Sequence, residues 1–178
     1  LKIPSSIIPS YDLFQSLLRF LDSNSRKRWT LCYRASSHGW AASTFHSRCD
    51  GKPHTVTIIR KSPYLFGGYT DIAWDSSNTY GYSSTSFIFS LINKEGLAPF
   101  KSTVNYPDYA IYRHRSYGPT FGGGHEIHIS NNANSNTKSN TYFGSGYYSV
   151  PSGLQSKYTI LSGSYYFTPD EVEVFYLT

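Results

Sequence analysis

The stretch Pro119-Thr120-Phe121-Gly122-Gly123-Gly124-His125-Glu126-Ile127-His128-Ile129 sets three consecutive glycines between an aromatic residue and an alternating segment. Successive side chains of a strand point to opposite faces. His125, Ile127 and Ile129 are therefore expected on one face, with Glu126 and His128 on the other. Glycine at such a place marks a bulge, a tight bend or the close approach of another backbone. The chain repeats the device at Phe66-Gly67-Gly68-Tyr69-Thr70-Asp71, followed by Trp74. Two aromatic-glycine turns, each tied to a strand, describe a sheet protein whose strands bend to close around a core.

Composition points the same way. Aromatics supply 17% of the residues and charged side chains only 15%. That balance favours strands and turns over a helical bundle, and it is too apolar for a disordered chain. The 178 residues are expected to form a single domain, 1–178, because chains split only beyond ~250 residues. The net charge is +5, yet the only basic run is Arg26-Lys27-Arg28. Without an arginine-rich helix or zinc-finger spacing, one triplet is a solvated loop, and nucleic acid is not an expected partner. No apolar run approaches the ~20 residues of a membrane span, so membrane insertion is not expected. Cys32 and Cys49 allow one disulfide, but a lone pair does not make a disulfide framework. None of the nine asparagines lies in an Asn-x-Ser/Thr sequon, which favours an intracellular, cytoplasmic site with reduced thiols.

In chain order, residues 1–9 are expected as an extended lead-in and 10–22 as an N-terminal helix. Ser10 is its cap, Asp12 lies in its first turn, and Phe14, Leu17, Leu18 and Leu21 form an apolar stripe for its own sheet. Asp22-Ser23-Asn24-Ser25 breaks it. Trp29–Ala35 alternates as a strand, Ser36–Gly39 turns, and Trp40–Cys49 is a short helix closed by Asp50-Gly51. Strands follow over 54–60, 64–69, 85–91, 100–104 and 109–113; Leu161–Phe167 leads to a turn at Thr168-Pro169-Asp170, and Glu171–Leu177 is the last strand. Residues 75–84 and the asparagine-rich 130–140 are expected to be loops. About ten strands without a βαβ rhythm give a mostly β fold, a two-sheet antiparallel β-sandwich flanked by two short helices.

Motifs for catalysis are sparse. His125-Glu126-Ile127-His128 has the wrong spacing for a zincin, which needs histidines four apart on a helix. On a strand the two rings would diverge, so no metal site is expected. Cys49 lies one helical turn from His46, which could activate a thiolate, although a buried structural cysteine is the commoner case. The triple glycine leads into a strand rather than opening a helix, so it is no phosphate cradle, and no cofactor is expected. The tyrosine- and asparagine-rich loops at 75–84 and 130–140 could bind a glycan.

Taken together, several segments resemble the TLDc (TBC/LysM-associated) domain family. They are Trp29 to Ser36, Gly39-Trp40 to Asp50, Thr55–Ile59, Phe66 to Asp71 with Trp74, Ser86–Asn93, Tyr109 to Tyr112, Tyr117–Ile129 and Leu161–Tyr176. They cover nearly the whole chain in order. The resemblance implies a β-sandwich without an established active site. It also implies protection against oxidative stress, and binding to the vacuolar-type proton-pumping ATPase that regulates its assembly or activity. The structural motif it carries over is Phe66, Gly67, Gly68, Trp74, Phe121, Gly122, Gly123 and Gly124. Charged residues within or beside the motifs, Arg34, Asp50, Asp71, Glu126, Glu171 and Glu173, are the surface candidates for the partner; Glu171 and Glu173, opposite the Val172/Val174 face, are equally available to a neighbouring Arg. Two departures stand out. Ala41 replaces a frequent helix-capping Ser, at a cost of about 1 kcal/mol, and Tyr166 stands where Asn is frequent. The leading expectation is a non-enzymatic, monomeric interaction domain. The alternatives are a thiol-based antioxidant using Cys49 or Cys32, and a glycan-binding sandwich.

Overall fold

The computed structural model describes residues 3–21 and 28–178. The expected breaker at 22–25 and most of the basic run lie outside them. In chain order the elements are α1 (Tyr11–Phe20), β1 (Trp29–Arg34), α2 (Ala35–His38), α3 (Ala42–Cys49), β2 (Thr55–Lys61), β3 (Tyr64–Thr70), β4 (Thr79–Gly81), β5 (Phe87–Ile92) and β6 (Phe100–Thr103). They continue with β7 (Ile111–Arg113), β8 (Thr120–Phe121), β9 (Ile127–His128), β10 (Ser139–Thr141), β11 (Tyr166–Phe167) and β12 (Glu171–Leu177). Two antiparallel six-stranded sheets result, ordered β1-β12-β2-β3-β5-β6 and β11-β10-β9-β8-β7-β4.

The first sheet is buried on both sides. Its inward residues Ile59, Phe66, Ile88, Val172 and Val174 join Ile111, Phe121 and Ile127 of the second sheet in the layer between the sheets. Its other face, with Val56, Ile58, Phe89 and Phe175, is covered by Ile3, Ile7 and Leu17 of the lead-in and α1. Burial on both faces explains the continuous apolar runs of β2 and β5, which a half-exposed strand would not need. Ser10 caps α1 by accepting from Leu13 N at 3.3 Å, as its position predicts.

The two glycine motifs meet in space. A Cβ on Gly68 would lie 2.5 Å from the Phe121 ring, and Phe121 meets Trp74 edge-on at 5.5 Å. Trp74 in turn donates from Nε1 to Thr55 Oγ1 at 3.0 Å. The first motif therefore leaves the room that the second motif's aromatic fills. The triple glycine itself forms a turn, in which His125 N donates to Gly122 O at 3.1 Å and Gly122 takes φ +85.

Several expectations are corrected. The turn expected at Ser36–Gly39 is the one-turn helix α2, so three α-helices rather than two flank the sheets among the described residues. The loop expected at 75–84 contains β4, which pairs with β7. The 130–140 loop ends in β10. His125 is not in a strand; its φ of +54 places it in the turn closed by its own amide on Gly122 O. Strand β1 shifts register between Leu31 and Tyr33, so Cys32 and Tyr33 both reach the layer between the sheets. The bulge turns Cys32 toward the end of α3, where it is joined to Cys49 with Cα atoms 5.5 Å apart. No free thiol remains, which corrects both the reduced-thiol expectation and the thiol-based alternative.

Candidate functional site

The six charges expected at the surface are all engaged within the molecule. On β12, Glu171 and Glu173 alternate with the inward valines, as the period of a strand requires. The face they occupy is covered, so Glu171 and Glu173 are 5% and 0% exposed, and Glu126, just before β9, is 0% exposed. Burial corrects their assignment as surface charges. Glu173 Oε2 accepts from Arg34 Nε at 2.9 Å and Nη2 at 2.7 Å. The same carboxylate accepts from Ser5 Oγ at 2.6 Å, Ser6 N at 3.1 Å and Ser6 Oγ at 3.0 Å. It thereby ties the lead-in to the sheet. Glu171 accepts from Ser36 N at 3.1 Å and from the Ser36 hydroxyl, at the start of α2. Asp71 accepts from the Ser83 hydroxyl.

Asp50 sits at the end of α3 and binds back onto it. Its Oδ1 lies 2.7 Å from His46 Nδ1, and its Oδ2 accepts from Ser76 Oγ at 2.8 Å. His46 Nε2 lies 2.9 Å from both His114 O and Tyr117 O. Carbonyls only accept, so this nitrogen carries a hydrogen, and the ring pins the helix to the 114–117 segment.

Glu126 is the buried charge with the least support. Oε2 accepts from Tyr148 N at 3.0 Å. Oε1 and the neighbouring Ser145 Oγ are both sealed from water with no partner in hydrogen-bonding geometry. Burial raises its pKa to about 7, with the Tyr148 amide pulling the other way. A carboxyl that holds its proton up to about pH 7 avoids, below that pH, most of the cost of an isolated charge.

The outer face of the second sheet gathers side chains that the sequence left scattered. His125 and His128, expected to diverge, stack with centroids 5.3 Å apart and planes at 27°. Tyr112 stacks on His125 at 5.7 Å, and His114 on Tyr117 at 4.4 Å. Tyr117 meets His128 edge-on at 4.5 Å. Burial lowers the pKa of His125. It takes that of His128 down to about 3, helped by the nearby His125 and His114. Both rings are neutral at physiological pH. Among the described residues no group of three or more His, Cys, Asp or Glu could hold a metal ion. The only local sign of this cluster was the alternation Tyr112-Arg113-His114; Tyr117 and His125 join it through turns.

At the β11 edge of the same sheet lies a second aromatic group. Tyr142 stacks on Tyr158 at 4.7 Å, Tyr158 neighbours Tyr165 at 5.7 Å, and Tyr165 meets Tyr166 at 4.6 Å. Tyr158 and Tyr166 are 52% and 61% exposed. Tyr166 is also the position at which the chain carries Tyr where Asn is frequent.

No helix among the described residues is long and apolar enough to cross a membrane. The family model for the TLDc domain matches residues 2–178. No curated protein matches the chain.

Proposed function

This chain belongs to the TLDc domain family, and we propose from that premise that it is a non-enzymatic protein-interaction domain acting on the vacuolar-type proton-pumping ATPase. It regulates assembly or activity of the pump by contact, and protection against oxidative stress follows indirectly. The observation that carries this reading is the family match across residues 2–178. The internal use of every motif charge supports a contact surface elsewhere. Exposed, mutually braced aromatics are the side chains that anchor interfaces, so the contact centres on Tyr158 and Tyr166. Arg34, Asp50 and Asp71, each partly exposed, contribute at most to the rim. The domain works as a monomer.

The test is a titration of the purified pump with the domain, following ATP hydrolysis and release of the soluble sector. Saturable inhibition or sector release at micromolar or lower concentration is expected, with about a tenfold loss of potency in the double variant Tyr158→Ser/Tyr166→Ser. A folded domain that leaves the pump unaffected overturns the reading. An unchanged double variant moves the surface elsewhere.

A further inference from the structure

Beside the stacked histidines a cavity of about 480 Å³ opens under the 130–138 segment, with Ser116, Tyr117, His128, Asn131, Asn132 and Lys138 in its wall. His128 is only 8% exposed, and its hydrogen bonding defines its tautomer. Thr120 Oγ1 donates to Gly118 O at 3.0 Å, so it has no hydrogen left for the imidazole. Nδ1 of His128, 2.9 Å from that hydroxyl oxygen, must therefore be the donor. Nε2 is left as a bare lone pair with no partner among the described residues. It is absent from the atoms that are sealed away unsatisfied, and His128 lines the cavity, so this lone pair is presented there.

We propose that this cavity binds a sugar ring, with a ligand hydroxyl donating to His128 Nε2. The choice of a polyol follows from the mixture of groups in the wall. The imidazole nitrogen offers only an acceptor, which repels a carboxylate or a fully ionised phosphate. On the same wall stand donors: the Lys138 ammonium, and the amide of Asn131, whose Oδ1 is already occupied by Ala42 N at 2.8 Å. Asn132 and Ser116 add groups of either kind. A hydroxyl donates and accepts at once, and a ring of hydroxyls satisfies both classes of wall group together. No Asp or Glu lines the cavity, so the wall does not suit a cation. The volume lies within the range of small-ligand sites, roughly 300–1,000 Å³. Burial and the neighbouring histidines keep the imidazole neutral, so the acceptor persists through the physiological pH range.

The experiment is saturation-transfer NMR on the intact chain with glucose, galactose, mannose, N-acetylglucosamine and myo-inositol, one at a time. Inorganic phosphate serves as the anionic control. At least one polyol is expected to show saturable transfer and to shift the His128 Nε2 resonance away from that of a free lone pair. His128→Phe removes the acceptor and keeps a planar ring. It should weaken binding about tenfold, corresponding to one hydrogen bond of roughly 1.4 kcal/mol. Lys138→Ala changes an exposed side chain and serves should His128→Phe fail to fold; it should weaken binding severalfold. The proposal is overturned if none of the five binds or if binding leaves the Nε2 resonance unmoved. It is also overturned if a folded His128→Phe binds as well as the wild type, or if phosphate takes the site in preference to every polyol.

Discussion

At the scale of single residues, the buried ionisable groups set how this protein responds to pH. Glu126 ionises near 4.5 in the unfolded chain and at about 7 when folded. Below 4.5 both states hold the proton and the group is indifferent. Between 4.5 and about 7 the unfolded chain loses its proton first, so stability falls as pH rises, and above 7 the full penalty remains. His128 has the opposite slope. Its folded pKa is about 3 against 6.5 unfolded, so stability falls as pH drops through that window. Between 4.5 and 6.5 the two slopes oppose each other. Glu126→Gln removes one of them and keeps an acceptor for Tyr148 N. It is expected to be more stable than the wild type by on the order of 3 kcal/mol near pH 8. The gain should vanish below about pH 4.5, and the stability of the variant should rise with pH across the interval where the wild type is flat. Urea denaturation at several pH values measures this; a constant difference between the two proteins would contradict it.

At the scale of elements, α3 shows a local defect mended from a distance. Ala41 occupies the N-cap and makes no side-chain cap. Asn131, far along the chain, supplies Oδ1 to Ala42 N at 2.8 Å. Its loop is stiffened for the task. Asn136 Nδ2 donates to Asn131 O and Asn132 O, each at 2.9 Å, and Asn136 Oδ1 accepts from Ser130 Oγ at 2.8 Å. Within what composition presents as low complexity, the amides of Asn131, Asn136 and Asn140 have assigned partners. Asn131→Ala should therefore cost about 1 kcal/mol. Ala41→Ser added to it should restore a similar amount, since its hydroxyl can take the Ser43 or Thr44 amide. Thermal or chemical unfolding of the single and double variants reads both effects. A neutral Asn131→Ala would mean that water already serves that amide.

At the scale of the whole molecule, the Cys32–Cys49 bond is the covalent tie between the first sheet and α3. It spans a separation of 17 residues, for which loop-closure entropy assigns about 3 kcal/mol. Cys32→Ser is expected to lower stability by that order, and the wild type should converge on the variant when reductant is added. Denaturant midpoints with and without reductant check it. If reductant leaves the wild type unchanged, the bond contributes nothing to stability. The lead-in is the corresponding non-covalent tie, through Ser5, Ser6 and Arg34 on Glu173.

The sequence by itself determined the fold class and most of the elements. Periodicity and punctuation are local, so the helix at Ser10, the strand around Phe87 to Leu91 and the last strand were legible from neighbouring residues alone. The aromatic-glycine motifs were legible as bends. That Gly68 makes room for Phe121 was not, because no local pattern records which distant ring fills a missing Cβ. The second face of a strand was equally hidden. Alternation places Glu171 and Glu173 opposite the valines, but only the lead-in and α2 lying across that face decide that they are buried. The histidines followed the same rule. Three glycines turn His125 out of the strand and onto His128, and Thr120 then directs the free nitrogen of His128 toward the cavity. Facing, capping and burial depend on what arrives from elsewhere in the chain, and packing alone supplies it.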